Sequence, residues 1–166
     1  MVLFRTNNLF CSPSSPDELP PILEVYRQCE DFLSLGPIPK ASLEMVKNDI
    51  RLSRKERGIF CCIYDSTSQI IGILDFIPQT ENRDTSFLSL LIISAPLRRK
   101  GYGKQLLEGL ERYLKATYGT QLIKSAVQTN NSDAIQFWKR TGFNIDNKPV
   151  QRPDGTVVYP MHKMII

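Results

Sequence analysis

The chain has 166 residues, 42% of them hydrophobic and 23% charged, which is ordinary for one globular domain with a buried core. Its formal net charge of +4 is too mild to indicate a nucleic-acid-binding surface. No apolar run reaches the length of a membrane span, and the N-terminus lacks the pattern of a signal peptide. The four cysteines have no metal-ligand spacing. We therefore expect a reduced, cytoplasmic protein with one domain, residues 1–166, that binds no metal, nucleic acid or membrane.

Hydrophobic periodicity predicts a mixed α/β chain. Ser15 to Glu18 has the form of a capping box with Pro16 at the first helical position, although the two prolines at 20–21 leave a later helix start open. The predicted helices carry apolar stripes over Ile22–Leu33, Leu43–Ile50, Tyr102–Tyr118 and Asn131–Arg140. The predicted strands are Val2–Cys11, Gly58–Tyr64, Ile70–Ile77, Thr85–Ile93, Gln121–Val127, Phe143–Asp146 and Val157–Ile166, with a loop at Lys148–Thr156.

The turn between the strand Thr85–Ile93 and the helix from Tyr102 is the most informative stretch. A glycine lets the backbone approach a ligand closely, because it carries no Cβ. The start of a helix offers free N–H groups and a partial positive charge, and both attract anions. The turn is therefore predicted to bind a phosphate, and a diphosphate in particular, although a glycine turn with solvated charges is the alternative. Its cations and glycines are Arg98, Arg99, Lys100, Gly101, Gly103 and Lys104.

The glycine spacing excludes two common phosphate-binding motifs. A P-loop needs an earlier glycine and a Ser or Thr after the lysine, and a dinucleotide-binding turn needs a third glycine. The pattern Arg98-x-x-Gly101-x-Gly103, which follows a strand and opens a helix, instead resembles the acetyl-CoA site of the GNAT family of N-acetyltransferases. In that family the pyrophosphate of coenzyme A lies on the backbone amides of this turn.

A second stretch, from Asn131 to Phe143, resembles the other signature of that family, N-x-x-A-x-x-[FL]-Y-x-x-x-G-F. In the family this helix contacts the pantetheine arm, which lies between two splayed parallel strands, here Leu88–Ile93 and Leu122–Val127. Asn131 is also placed to cap a helix, and the two roles are compatible. The residues that the resemblance assigns to the coenzyme outside the six listed above are Leu91, Ile92, Ile93, Tyr102, Asn131, Ala134, Phe137 and Trp138.

The resemblance covers nearly the whole chain. It implies the GNAT fold: a central mixed, mostly antiparallel sheet with splayed parallel strands, flanked by four helices. It also implies an N-acetyltransferase that moves an acetyl group from acetyl-CoA to a primary amine of a small molecule or protein by direct attack on the thioester. A backbone N–H near Ile92 or Ile93 would hold the oxyanion.

The chain departs from the family pattern in its proton chemistry. Trp138 stands where the family usually has a tyrosine that protonates the departing thiolate, and an indole N–H is no acid. The strand Thr85–Ile93 lacks the glutamate that many relatives place there. Asp75, in an otherwise apolar strand, is the candidate base, with an exposed edge position or a salt bridge as the alternative.

The last strand supplies the candidate acid. Tyr159 and His162 point to opposite faces of this strand because their spacing is odd. We interpret Tyr159 as the acid and His162 as a satisfied or surface residue and not as a base. Because the usual acid and base are both missing, a non-catalytic acyl-CoA-binding regulatory module stays as the alternative function.

The acceptor pocket is expected between the helix pair Pro16–Lys55 and the loop Asp146–Gly155, since such segments carry specificity. The sequence does not identify the acceptor amine, and it leaves open whether the protein is a homodimer.

Overall fold

The computed structural model describes all 166 residues. The helices are α1 (Leu19–Gln28), α2 (Glu30–Leu33), α3 (Leu43–Lys55), α4 (Tyr102–Tyr118) and α5 (Ser132–Arg140). The strands are β1 (Phe4–Arg5), β2 (Phe10–Pro13), β3 (Ile59–Tyr64), β4 (Ile70–Ile77), β5 (Thr85–Ile93), β6 (Leu122–Gln128), β7 (Asn144–Ile145), β8 (Val150–Gln151) and β9 (Val157–Met164).

The strands form one nine-stranded sheet in the order β1-β2-β3-β4-β5-β6-β9-β7, with β8 paired to β9. All pairings are antiparallel except that of β5 with β6. The predicted mixed, mostly antiparallel sheet is therefore confirmed. No helix is both long and apolar enough to cross a bilayer.

Three predicted elements differ from the structure. The strand predicted over Val2–Cys11 is a hairpin, because the chain turns between Thr6 and Leu9, whose backbone groups bond at 2.8 Å. The first predicted helix is broken at Cys29, whose φ of −109° and ψ of 21° are not helical, and this adds a fifth, short helix α2. The predicted loop Lys148–Thr156 contains β8, which forms a hairpin with β9.

At the start of the first helix, the predicted capping box and the alternative later helix start are both present. The capping box forms, and the Ser15 N–H donates to Glu18 Oε1 at 2.8 Å. It closes a short 3₁₀ turn over Pro16–Glu18, and the α-helix begins after it at Leu19.

The core has one layer on each side of the sheet. On one side, which we call the α4/α5 face, four leucines of α4 are fully buried against the sheet. On the other side, the α1/α3 face, α1 and α3 pack their apolar residues on the strands. Cys61 belongs to the first layer and its neighbour Cys62 to the second, as strand alternation requires.

The strands β5 and β6 diverge along their length. They pair only between Thr85–Phe87 and Leu122–Lys124. At the next residues the Ser125 hydroxyl donates to the Leu88 carbonyl at 2.6 Å, and no strand pairing follows. A bulge in β5 lies at the same place, since Asp75 is opposite Leu90 and its neighbour in β4 is opposite Leu88. The sequence prediction of splayed strands is correct, and we call the wedge between them the gap and its closed end the apex.

Candidate functional site

The turn at the open end of the gap presents a run of unsatisfied backbone donors. None of the six N–H groups from Arg99 to Lys104 donates a hydrogen bond to another backbone group, and the first such bond of the helix runs from Gln105 to the Gly101 carbonyl at 3.0 Å. Arg99 and Gly101 adopt left-handed conformations, with φ of 63° and 81°. Successive amides in such a geometry form a concave anion-binding surface, called a nest, and α4 adds its positive end.

Glycine is required at two positions of the turn for different structural reasons. A Cβ on Gly101 would meet nothing within 4 Å, so its left-handed φ is what requires glycine. A Cβ on Gly103 would lie 3.2 Å from the ring of Phe137 in α5. The start of α4 therefore packs closely against α5, and this contact brings the two sequence signatures together at the open end of the gap.

The four cations of the turn do not act alike. Arg98 donates from Nε to the Ile93 carbonyl at 3.0 Å and from its two terminal nitrogens to the Asp31 carboxylate at 2.5 and 3.2 Å. These bonds hold the pKa of Asp31 below its usual range. The guanidinium of Arg98 therefore connects α2 with the end of β5, and its contact with the coenzyme stays a prediction. Lys104 faces Glu108 at 4.0 Å.

The remaining cations, Arg99 and Lys100, are exposed and take part in no ion pair of the chain. They therefore stand beside the nest with their charges unneutralised.

Every second residue of β5 directs its backbone N–H and C=O groups toward the gap. The carbonyl oxygen of Ile92 points toward β4, since a Cβ on Gly72 would lie 2.6 Å from it. Neighbouring residues of a strand direct their polar groups to opposite edges, so Leu91 and Ile93 face the gap. The N–H groups of Leu91 and Ile93 therefore face the gap, whereas that of Ile92 faces β4. The oxyanion donor near Ile92 or Ile93 stays a prediction.

The second signature is held by a cap and by aromatic packing. The Asn131 side chain caps α5, accepting from the Ala134 N–H at 3.1 Å. Phe137 is half-buried against the core. Trp138 is 8% exposed and meets Phe137 and Phe143 edge to face, at ring-centroid distances of 4.9 and 5.0 Å. Trp138 is therefore a core residue.

Asp75 is neither at an exposed edge nor in a salt bridge. It is 8% exposed on the α1/α3 face, where the Ser53 hydroxyl donates to it at 2.6 Å. Burial raises the pKa of its carboxyl to about 6, and repulsion from Asp49 and Glu56 adds to this against the opposing effect of the Ser53 hydrogen bond. A buried carboxyl that titrates near neutrality, one strand from the gap, has the chemistry of a proton acceptor.

Tyr159 lies on the other side of the sheet. It is half-buried against the α4/α5 core, opposite Val127 in the splayed part of β6. Two strands, β5 and β6, separate its strand from that of Asp75. The two residues cannot touch each other, but a group bound in the gap is open to both faces.

Two clefts lie where α1 and α3 leave the sheet uncovered. The larger, of about 570 Å³, adjoins the apex and holds a cross-strand row of Phe87, Lys124, His162 and Asn144. We call it the apex cleft. The smaller, of about 290 Å³, lies between residues 35–37 and residues 154–157 at the open end of the gap. Both include residues between β7 and β9, where the sequence placed the acceptor pocket.

The sequence did not reveal the polar residues of these clefts. His162 is exposed, as interpreted, yet it lines the apex cleft beside Lys124. In the smaller cleft the Oε1 atom of Gln128 is buried without a hydrogen-bond partner. Strand alternation puts Lys124 and His162 on definite faces, but only the register of β6 with β9 makes them neighbours. No group of three or more His, Cys, Asp or Glu could hold a metal ion.

Comparison with known proteins identifies the family. The model of the acetyltransferase (GNAT) family matches residues 20–143, well over half of the chain and both signatures. This chain belongs to the acetyltransferase (GNAT) family. The family prediction made from the two signatures is confirmed. No curated relative matches the GNAT chain in sequence.

Solved structures show the same fold. An acetyltransferase from Thermus thermophilus is 22% identical with a TM-score of 0.76, covering 96% of this chain and 98% of that chain. Spermidine N-acetyltransferase from Vibrio cholerae, in complex with CoA and spermine, is 15% identical with a TM-score of 0.74, covering 95% of both. A Salmonella typhimurium acetyltransferase that modifies the N-terminal serine of ribosomal protein L7/L12 is 11% identical with a TM-score of 0.82, covering 100% of both.

Proposed function

We propose that this GNAT protein is an N-acetyltransferase that uses acetyl-CoA as its cosubstrate and a primary amine as its acceptor. The observation that carries the proposal is the run of six free amides at the open end of a gap with unpaired strand edges. The nest suits the pyrophosphate, with Arg99 and Lys100 beside it, and the gap suits the pantetheine arm, which pairs with the Leu91–Ile93 edge like an added strand.

The reaction needs a neutral amine, an oxyanion donor and alignment of the two reactants. The amine nitrogen attacks the thioester carbonyl, and the resulting oxyanion accepts a hydrogen bond from a gap-facing N–H of the Leu91–Ile93 edge. The C–S bond then breaks while the C–N bond remains, so the amine loses one proton and the CoA thiolate gains one. A thiol pKa of about 8.5 makes the thiolate a fair leaving group.

Asp75 and Tyr159 are the proposed proton carriers. Asp75 takes the amine proton through water from the α1/α3 face, which fits a carboxyl pKa of about 6. Tyr159 supplies a proton to the thiolate from the α4/α5 face. Their positions on opposite faces fit opposite roles around a thioester held between β5 and β6.

The second candidate is a non-catalytic acyl-CoA-binding module. It is favoured by Trp138 in place of the usual tyrosine and by the absence of any carboxylate in β5. Among structural neighbours, one acetylates spermidine and another a protein N-terminus, so both small and protein amines belong in the test.

The test measures CoA binding by calorimetry and, in parallel, release of free thiol from acetyl-CoA with a panel of amines. The panel contains amino acids, their amides, polyamines and peptides with free N-termini. Turnover above the uncatalysed rate establishes the enzyme. Binding without any turnover favours the module, and absence of CoA binding overturns both.

A further inference from the structure

The apex cleft contains a cation that forms no ion pair with any acid of the protein. Lys124 lies in the middle of the cross-strand row and belongs to none of the five ion pairs of the chain. An exposed lysine on a convex surface is ordinary, but this one lines a concave space of about 570 Å³. Charge inside a cleft is focused toward whatever binds there.

Hydrogen-bond donors surround this ammonium. His162 is directly opposite Lys124 in β9, and Asn144 is opposite His162 in β7. A neutral or protonated imidazole and a side-chain amide each have an N–H to donate. None of these side chains is engaged in a hydrogen bond within the protein, and the nearby Asn147 is likewise free. An oxygen anion is the ligand group that such a set of donors recognises.

A carboxylate inside the apex cleft limits the kind of anion that can bind there. Asp146 lines the same cleft, and its Oδ1 accepts the backbone N–H of Lys148 at 3.1 Å. This charge disfavours a polyanion such as a nucleic acid. A polyamine is disfavoured too, because it would meet an ammonium on the cleft floor and only a single carboxylate.

The cleft adjoins the point where the reaction would occur. Phe87 and Ser125 line it, and both border the apex, where Ser125 is bonded to the Leu88 carbonyl. Strand residues advance by about 3.3 Å each, so Lys124 lies within one or two residues of the apex. A small molecule can therefore contact Lys124 and still place an amine at the gap.

We propose that the acceptor is a primary amine that also carries a carboxylate, and that Lys124, with His162 beside it, binds this carboxylate. The inference rests on the proposed function and adds the substrate class to it. The acceptor enters through the apex cleft from the α1/α3 face, and its amine points into the gap.

The experiment compares matched acceptors. The kcat/KM of wild type is measured for amino acids and dipeptides and for their C-terminal amides, with spermidine as a cationic reference. We expect the free acids to be favoured by about tenfold or more, the size of one hydrogen-bonded charge contact. Lys124→Met should abolish this preference by raising KM for the free acids toward that of the amides, while Lys124→Arg keeps part of the preference.

A matched control variant is Lys115→Met, which removes an exposed lysine of α4 outside the cleft and should keep the preference. Raising the salt concentration should reduce the preference in wild type, since exposed charges are screened. Amides used as well as acids by wild type, or a preference that survives Lys124→Met, would overturn the inference.

The failure of the proposed function is a separate outcome. If no amine is acetylated although CoA binds, the binding of amino acids to the CoA-loaded protein is measured by calorimetry. Binding that Lys124→Met removes and Lys115→Met retains supports the carboxylate site without catalysis. Absence of binding to wild type overturns the site as well.

Discussion

The nest and the apex cleft face the same gap but are built from different parts of the polypeptide. The nest consists of six consecutive backbone N–H groups, so its geometry depends on left-handed residues and a helix start within one short segment. The apex cleft consists of side chains from four strands that are far apart in sequence. The comparison teaches that the proposed coenzyme site is determined locally, within one short segment, whereas the proposed acceptor site depends on the register of the whole sheet.

The largest expected effect concerns neither the backbone of the nest nor the apex cleft itself but the candidate base one strand from the gap that both regions face. Asp75→Asn should lower kcat/KM by about two to four orders of magnitude, the usual loss of a general base. Wild-type kcat/KM should rise with pH through about 6, the pKa of the Asp75 carboxyl. Rate–pH profiles of both proteins check this, and an unimpaired Asp75→Asn enzyme would remove Asp75 from the mechanism.

The same variant separates chemistry from folding. Because the folded pKa of Asp75 is raised, its favourable contribution is present below about pH 3.9 and is lost as the pH rises through about 6. Asp75→Asn should therefore be more stable than wild type above pH 6, by at most about 3 kcal/mol, and similar near pH 4. Ser53→Ala removes the hydrogen bond that opposes the shift and should move the rate profile to higher pH.

Breaking the nest should have the next largest effect. Gly101→Ala places a side chain at φ 81°, so the amides should turn away and the CoA dissociation constant should rise by about 10²-fold, as two charge-assisted hydrogen bonds would. Calorimetry measures it. Gly119→Ala is the matched control, because it imposes φ 69° on alanine at the other end of α4. Both variants should lose about 1–2 kcal/mol of stability, but only the first should lose CoA affinity.

Tyr159→Phe tests whether the acid is on the α4/α5 face, opposite the candidate base. Removing one hydroxyl should lower kcat by about tenfold, because a thiolate is already a fair leaving group, and should leave CoA affinity unchanged. Tyr113→Phe removes a phenol from the same half-buried layer and serves as the control. Equal kcat values for the two variants would exclude Tyr159 as the acid.

Asn131 tests whether a cap also contacts the coenzyme. Asn131→Ala should cost about 1 kcal/mol of stability through loss of the Ala134 hydrogen bond. Asn131→Asp keeps the capping oxygen but removes the amide N–H groups. If Asn131→Asp retains stability and weakens acetyl-CoA use, measured as KM, the side chain contacts pantetheine; unchanged KM means that it only caps.

The smallest effect is expected at the ion pair that joins α2 to the segment leading into the nest. Asp31→Asn weakens the bond to Arg98, and because the pair is largely exposed we expect a loss below about 1 kcal/mol at neutral pH. The pKa of Asp31 is lowered in the folded state, so this stabilisation is present above about pH 3.9 and lost as the pH falls further. Thermal unfolding should show the two proteins converging in acid.

The sequence predicted the parts of the molecule that local chemistry determines. The strand Thr85–Ile93 and the helix to Tyr118 were correct to the residue, because apolar runs, glycines and periodicity mark them directly. Asp75 stood out as an acid in an apolar strand. Its partner Ser53 did not, because nothing local in α3 indicates that contact.

Long-range register accounts for the misses. Phe87, Lys124 and His162 are neighbours only because of the register in which β5, β6 and β9 pair. The bulge opposite Asp75 also changes which residues of β5 face each side of the sheet. The contact of Arg98 with Asp31 likewise depends on where α2 packs, so the local sequence did not indicate it. Neither alternation nor composition contains this information.

The backbone character of the nest has a practical consequence at the bench. Amides recognise the charge and oxygen atoms of an anion and little else, so inorganic phosphate and sulfate should compete for the same six donors. Assays in phosphate buffer, or on protein precipitated with ammonium sulfate, would then report an inflated KM for acetyl-CoA. Buffers of bulky organic cations with chloride should reveal the true affinity.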